Sequence, residues 1–233
     1  MSDPGGESDF RDLGRRWRES GRVEDLERYL HGRARWENLD LEAIGWSEGA
    51  SLAKQGDPVA YAWARSQTDP GSRARALAYV ARFTTGDPRP IALAAADAAA
   101  EMAEGYDRVM ASVLPLAALT ERDLLDDVRA EADRVIVALS SVEHISGVSE
   151  ACFRLMQATW PIVDVRTRFI REQAAIATAH WRCRMNFRDM IRKLVPHDPE
   201  LARELVSEVE DAKLRRKATR ALEQPAGVVT FFH

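Results

Sequence analysis

The chain has 233 residues, of which 45% are hydrophobic and 30% charged, and its formal net charge is −4. This composition excludes a disordered chain, and the charge gives no general reason to expect nucleic acid as a partner. The two cysteines, Cys152 and Cys183, are too few for a disulfide framework or a cysteine-built zinc site, so a reducing cytoplasm is the expected location. Residues 1–18 lack the apolar core of a signal peptide, and no stretch reaches the roughly eighteen apolar residues of a membrane span. We therefore expect neither secretion nor membrane insertion.

Residues 1–55 predict an N-terminal helical cap. Helices are expected after Ser8, from Val23 to about Leu30, and from an N-cap at Asp40 to a stop at Gly56. Terminal repeats are usually atypical, and bulky side chains in this region would close one end of a repeat array. Three of the six tryptophans lie here: Trp17, Trp36 and Trp46.

A start signal then recurs along the chain. Gly56-Asp57-Pro58 is repeated as Gly86-Asp87-Pro88, and Thr68-Asp69-Pro70 lies between them. Asp accepts hydrogen bonds from the free N–H groups of a first helical turn, Pro fits the first helical position, and Gly ends the preceding helix in a left-handed conformation. Residues 56–119 therefore predict helical hairpins in series, with helices over 58–67, 70–83, 88–104 and 107–119.

Further hairpins are predicted beyond this stretch. Thr120 with Asp123, and Ser140 with Glu143, have the spacing of capping boxes. One long helix is expected over about 162–185, and Asn186 is expected to cap a shorter one that ends near Val195. Asp198-Pro199 repeats the start signal before helices that end near Leu222. Residues 223–233 are predicted to be a docked or frayed tail.

The segment from Ser66 to Leu77, Ser-Gln-Thr-Asp-Pro-Gly-Ser-Arg-Ala-Arg-Ala-Leu, resembles the degenerate helical repeats of bacterial α-solenoids. These are similar to the tetratricopeptide and HEAT superfamilies, although the tetratricopeptide consensus is not met. The resemblance implies an all-α fold, a right-handed α-solenoid of about five or six antiparallel helical hairpins. It divides the chain into a cap (1–55), a repeat array (56–222) and a tail (223–233). It also implies a scaffold that binds other macromolecules.

Searching for catalytic or metal-binding motifs gives weak signals. No phosphate-binding loop or His-Glu-x-x-His motif is present. His180 and Cys183 have metal-ligand spacing, and with His144 and Cys152 they could form a zinc site, but a packing Cys and a half-buried His are favoured. An acidic set could hold a metal or act in acid/base chemistry, but a solvated helix face is favoured. Its members are Asp123, Asp126, Asp127, Glu131 and Asp133. No cofactor, metal or catalytic residue is predicted.

Charge is distributed unevenly along the second half of the chain. Residues 97–154 carry a net charge of −7, whereas residues 161–195 carry +5. A positive face on the long helix could meet phosphates or an acidic protein, and a tryptophan could add stacking. The alternative is a solvated face whose arginines pair with acidic residues of the adjacent repeat. We call this set the arginine strip: Arg166, Arg168, Arg171, Trp181, Arg182, Arg184, Arg188 and Arg192.

The sequence therefore favours a non-enzymatic helical-repeat scaffold that binds a protein or peptide partner through its groove and the arginine strip. The alternative is a nucleic-acid-binding HEAT-like repeat protein, with DNA-glycosylase-like chemistry as one form of it. The acidic net charge and the lack of residues matching a base-excision site weigh against that form. A metal-dependent all-α enzyme is a third hypothesis. The oligomeric state stays open.

Overall fold

A computed structural model describes residues 6–20, 22–37 and 44–223. The regular secondary structure of these residues is entirely α-helical, which confirms the predicted all-α class for this part of the chain. The predictions for the N-terminal lead, the N-cap at Asp40, the side chain of Trp36 and the tail beyond Glu223 fall outside what is described.

The helices follow one another with short connections. In chain order they are α1 Gly6–Ser20, α2 Val23–Glu37, α3 Trp46–Lys54, α4 Val59–Ser66, α5 Pro70–Phe83, α6 Arg89–Ala100, α7 Tyr106–Ala111, α8 Val113–Glu121, α9 Leu125–Leu139, α10 Ile145–Ala158, α11 Val163–Ala175, α12 Trp181–Leu194, α13 Pro199–Glu208 and α14 Ala212–Glu223.

The predicted Asp-Pro caps form at Asp69 and Asp198, whereas Pro58 and Pro88 are themselves the N-cap residues of α4 and α6. Asp69 accepts a hydrogen bond from the Ser72 amide at 2.7 Å, with Pro70 at the first helical position. Asp198 does the same for the Leu201 amide at 3.1 Å. Asp57 and Asp87 accept from the amide two residues ahead, at 2.9 and 3.0 Å. Each aspartate satisfies a backbone donor that the helix itself leaves unpaired.

Gly56 ends α3 in the left-handed conformation that the sequence predicted. Its φ is +68°, and the amide of Asp57 donates to the carbonyl of Leu52 at 2.9 Å. This bond across five residues is the mark of a Schellman motif, which needs a positive φ at the residue before the donor.

The capping box predicted at Thr120 is wrong. Thr120 is buried in the last turn of α8, and Asp123 follows with a φ of +55°. The amide of Leu124 donates to the carbonyl of Leu119 at 3.0 Å, so Asp123 takes the place that Gly56 has at the end of α3. Aspartate tolerates this conformation better than most residues, and here it ends one helix instead of starting the next.

Three other predicted N-caps are also wrong. Helix α1 already includes Ser8, and Ser140 bonds back to the carbonyl of Val137 at 2.7 Å, closing α9. Helix α10 begins five residues later, after His144. The helix predicted over 162–185 is broken between Ala175 and Trp181, and Asn186 is buried within α12.

The chain folds into two compact units. Unit 1 comprises the described residues of Met1–Ala103 together with Leu114–Val128. Unit 2 comprises Glu104–Val113 and the described residues from Arg129 onward.

Alanine-rich helices pack closely in unit 1. Helix α5 contacts α3, α4 and α6, and most buried positions of α5 and α6 are alanine. Trp63 is fully buried, and Trp46 meets it edge-on with ring centroids 5.2 Å apart. Small side chains allow the helices to approach closely, while Trp63 fills the space beside α3.

Alternate helices of unit 2 run parallel to each other. Arg129 on α9 pairs with Asp164 on α11, and Asp133 pairs with Arg168, each across 35 residues. Cys183 donates to the Ile145 carbonyl, and Asn186 donates to Ser149, across 38 and 37 residues. In each pair of helices, the two contacts are separated by nearly the same number of residues, and the later residue of one helix meets the later residue of the other. Helices α9 and α11 therefore run parallel to each other, as do α10 and α12.

Replacing Gly49 by alanine should destabilise the protein. A Cβ at Gly49 would lie 2.1 Å from Cε2 of the buried Trp63, so either helix α3 or the indole ring would have to move. Overpacking of this kind costs about 1–3 kcal/mol in free energy of unfolding, measurable by urea denaturation. Gly45→Ala is the matched control, because a Cβ there meets nothing within 4 Å. Equal destabilisation by the two substitutions would contradict the packing described for Trp63.

Candidate functional site

Two members of the arginine strip are paired across helices. Arg168 on α11 donates to Asp133 at 2.5 Å, and Arg171 donates to Glu204 on α13 at 2.8 Å. The hydrogen bond to Glu204 raises the pKa of Arg171 above its ordinary value. Both cations are therefore neutralised by carboxylates from neighbouring helices, which was the alternative interpretation of the strip.

Arg166 is buried instead of facing a partner. Its Nη1 donates to the carbonyl of Trp160 at 3.1 Å, and its Cζ lies 4.9 Å from the centroid of that indole ring. Burial lowers the pKa of its guanidinium below the ordinary value, and Asp198 partly opposes this shift. His197 meets the same indole edge-on, with centroids 5.2 Å apart. Arg166 thus holds a core tryptophan in place.

The α12 arginines have mixed surroundings. Arg184 lies 3.6 Å from Asp211 and donates to the Thr178 carbonyl, and Arg192 pairs with Asp189 at 3.0 Å. The Nε of Arg188 is buried, with no hydrogen-bond partner within the described residues. These side chains do not form one positive surface with α11.

Trp181 and Arg182 are the strip members with exposed side chains and no ion pair in the described part of the chain. Trp181 is 60% exposed, and the Arg182 guanidinium lies 5.3 Å from its ring centroid. Both lie in the first turn of α12, after His180, whose ring Nδ1 accepts from the Arg182 amide at 3.3 Å. The partner-binding role of the strip stays a prediction.

A groove of about 740 Å³ lies within unit 2, where α7, α10 and α12 begin. We call it the α7–α10–α12 groove. Tyr106 opens α7, Glu143 belongs to the loop before α10, and Arg182 and Met185 lie on the first turns of α12. Its volume is in the range of sites that hold small ligands or a few side chains of a peptide.

A close approach between α7 and α10 forms one wall of the groove. A Cβ at Gly147 would lie 3.1 Å from Cδ2 of Tyr106 and 3.2 Å from Cγ1 of Val142. Gly105 precedes Tyr106 with a φ of +127°, a conformation that glycine adopts readily. These two glycines allow the Tyr106 ring to lie against the start of α10.

Polar contacts fix α10 against α12 beside the groove. Asn186, which lines it, donates from Nδ2 to the hydroxyl of buried Ser149 at 3.0 Å. One turn earlier, the Cys183 thiol donates to the Ile145 carbonyl at 3.7 Å. Buried hydrogen bonds of this kind hold two helices in one register, so the groove is preformed.

The groove combines apolar side chains with carboxylates. Met185 is 45% exposed and Tyr106 is 39% exposed. Partial burial, with the nearby Glu150 charge, raises the pKa of Tyr106 above its ordinary value. Glu150 pairs with Arg154 at 2.9 Å, whereas Glu143 is exposed and has no ion pair among the described residues. Within the described residues, the rim therefore carries the carboxylate of Glu143 and the guanidinium of Arg182, neither of them in an ion pair, next to apolar surface.

Sequence reasoning did not identify these groove residues, except for Arg182. Tyr106, Glu143 and Met185 come from three separate segments, and their proximity depends on how α7, α10 and α12 pack. Gly105-Tyr106 and Gly147 carried a usable signal, since a glycine before a helix and one inside a helix both indicate close approach.

Some of the residues considered for metal chemistry are already engaged in ion pairs. Within the described residues, no cluster of three or more His, Cys, Asp or Glu side chains is arranged to hold a metal ion. Of the acidic set, Asp127 pairs with Arg89 at 2.8 Å and Glu131 with Arg134 at 3.0 Å. Nor does any helix of the described ranges have the length and apolar character needed to cross a bilayer.

Comparison with known protein families, with curated proteins and with solved structures finds no match for this chain.

Arg166→Ala should lower stability far more than Arg168→Ala. The first change removes the Trp160 contact and a buried hydrogen bond, which together should cost about 2 kcal/mol. The second breaks an exposed ion pair and should change the free energy of unfolding by about 0.5 kcal/mol or less. Chemical denaturation of both variants measures the difference. A stable Arg166→Ala variant would contradict a structural role for this side chain.

Neither thiol should react in the native protein at pH 8. Cys152 and Cys183 are buried, and burial raises the pKa of Cys152 to about 12, so almost no thiolate is present. A chromogenic disulfide reagent should detect no thiol in native protein and both after denaturation in urea. Rapid release of either thiol from native protein would contradict the packing of α10 and α12.

Proposed function

We propose that unit 2 is a short α-solenoid that binds a peptide segment of a partner protein in the α7–α10–α12 groove. The observation that carries this proposal is the groove itself, where exposed Met185 and Tyr106 lie beside Glu143, whose carboxylate has no ion pair in the described part of the chain. No catalytic residue or cofactor belongs to the proposal.

The parallel alternate helices support the solenoid. In stacked hairpins, each helix packs against its equivalent in the next repeat, and the contacts recur at one repeat length. The offsets of 35 residues between α9 and α11, and of 37 and 38 between α10 and α12, agree with this arrangement. The right-handed superhelix and its five or six hairpins remain predictions.

The side chains of the groove favour a peptide as the occupant. Peptide-binding surfaces use aromatic and methionine side chains as adaptable apolar contacts, and a polar rim adds orientation. Met185 has the flexibility for such a contact, while Tyr106 is held by its approach to Gly147. The groove therefore offers one adaptable and one fixed apolar contact.

The charge of the rim defines the peptide further. Glu104 and Glu143 are exposed, and the one ion pair of Glu104 among the described residues is a long contact to Arg108 at 3.9 Å. A Lys or Arg in the peptide would meet these carboxylates, and a neighbouring apolar side chain would enter between Tyr106 and Met185. We propose a basic-apolar segment as the ligand.

The arginine strip supports this function indirectly. Arg168 and Arg171 link helices of unit 2 by ion pairs, and Arg166 holds Trp160, so we propose that they maintain the array that carries the groove. Nucleic-acid binding through Arg166, Arg168 and Arg171 is not favoured, because these three cations already have carboxylate or core partners.

The proposal is tested by selecting short random peptides on the immobilised full-length chain. Enriched peptides should share a basic residue next to an apolar one. A labelled enriched peptide should then bind Met185→Glu about tenfold more weakly than the unmodified protein, as measured by fluorescence anisotropy, because a buried contact is replaced by a charge.

Val137→Glu is the matched control. Val137 is 73% exposed on α9 and does not line the groove, so the same change there should leave peptide affinity within about twofold. Failure to enrich any peptide, or equal effects of the two substitutions, would overturn the proposal. Enrichment of acidic peptides would overturn the charge preference assigned to Glu143.

A further inference from the structure

Helix α14 has a buried apolar side and an exposed basic side. Leu214, Ala218 and Ala221 are buried, and the helix packs on α12 and α13. These three positions follow helical spacing, so they define the face that anchors α14 to unit 2.

Four cations share one exposed face of this helix. Lys213, Arg216, Lys217 and Arg220 have the spacing i, i+3, i+4 and i+7, which places them within an arc of about 100°. All four are exposed, and none makes an ion pair or side-chain hydrogen bond within the described residues. We call this face the basic stripe.

The acid nearest the basic stripe in sequence is already engaged. Asp211 caps α14 by accepting from the Leu214 amide at 2.7 Å, and this hydrogen bond lowers the pKa of its carboxyl. Arg184 lies 3.6 Å from the same carboxylate. Lys213 also acts electrostatically on the Asp211 carboxylate, and the other three cations leave the stripe positive among the described residues.

We propose that the basic stripe binds the phosphate backbone of single-stranded nucleic acid. Lys213 to Arg220 extends about 10 Å along the helix, so the four cations can contact a few neighbouring phosphates of one strand. Cations that face phosphates at this spacing bind without reading sequence, because backbone contacts carry no base information.

The composition of the stripe favours nucleic acid over a protein or a membrane. It contains no aromatic or large aliphatic side chain of the kind that anchors a protein partner. The apolar face of α14 is already buried against α12 and α13, so the helix has nothing to insert into a bilayer. The stripe itself can therefore contact a ligand only through its charges.

The exposed side chain of Trp181 favours a single strand over a duplex as the ligand. The Arg184–Asp211 contact brings the start of α14 beside the first turns of α12, where Trp181 is 60% exposed. An exposed indole can stack on an unpaired base but not on a paired one inside a duplex. Phosphate contacts from α14 and stacking from α12 together match a single strand.

The test measures binding of a fluorescein-labelled single-stranded DNA of mixed sequence to the full chain over a range of salt concentrations. Affinity should fall with salt, since bound phosphates release counterions. The variant Lys213→Gln, Arg216→Gln, Lys217→Gln, Arg220→Gln should bind at least tenfold more weakly at low salt, with a shallower salt dependence.

Two further variants separate the contributions. Trp181→Ala should weaken binding severalfold without changing the salt dependence, since it removes stacking and no charge. Arg16→Gln with Lys54→Gln removes two exposed cations of unit 1 that have no ion pair in the described residues, and it should leave affinity unchanged. Lys213→Gln with Lys217→Gln is the charge-matched comparison and should weaken binding.

Several results would overturn the proposal. One is an equal loss of affinity for single-stranded DNA in the two double variants. Others are the absence of salt-sensitive DNA binding at low salt, or tighter binding to a duplex of the same length. Binding only to anionic vesicles or to acidic peptides would also overturn it. Unchanged circular dichroism of each variant ensures that a loss reflects the surface. The groove-binding peptide should still bind the stripe variant, so this proposal and the proposed function fail separately.

Discussion

Satisfaction of the backbone at helix ends is the constraint on which the rest of this structure depends. A helix leaves its first N–H groups and last carbonyls unpaired, and short helices have many such ends. Asp57, Asp69, Asp87, Asp198 and Asp211 each accept from one of these amides. Because these caps set where each helix starts, they also set which side chains face the neighbouring helix.

Charge serves two purposes in unit 2. Arg168 and Arg171 are paired with carboxylates more than thirty residues away, so their positive charge joins helices and is not available to a ligand. The cations of α14 have no such partners in the described part of the chain. The distinction between a stabilising and a binding charge therefore lies in the neighbouring helix, and the residue type does not reveal it.

The groove and the basic stripe are chemically complementary surfaces on one compact unit. The groove pairs apolar side chains with carboxylates and suits a basic-apolar peptide, whereas the stripe is purely cationic and suits phosphates. Asp211 and Arg184 connect the two regions through α12, because Arg184 lies between the groove residues Arg182 and Met185 in the sequence of that helix.

The sequence by itself determined the all-α class and the helix boundaries at Asp69-Pro70, Asp198-Pro199 and Gly56, because capping acts between residues only a few positions apart. It could not determine that Asp123 ends a helix, since the same short-range pattern fits a start as well as a stop. Nor could it reveal the groove around Tyr106 and Met185 or separate the paired arginines from the free cations of α14. These depend on contacts between helices some 35 residues apart, and only the tertiary structure decides which side chains meet there.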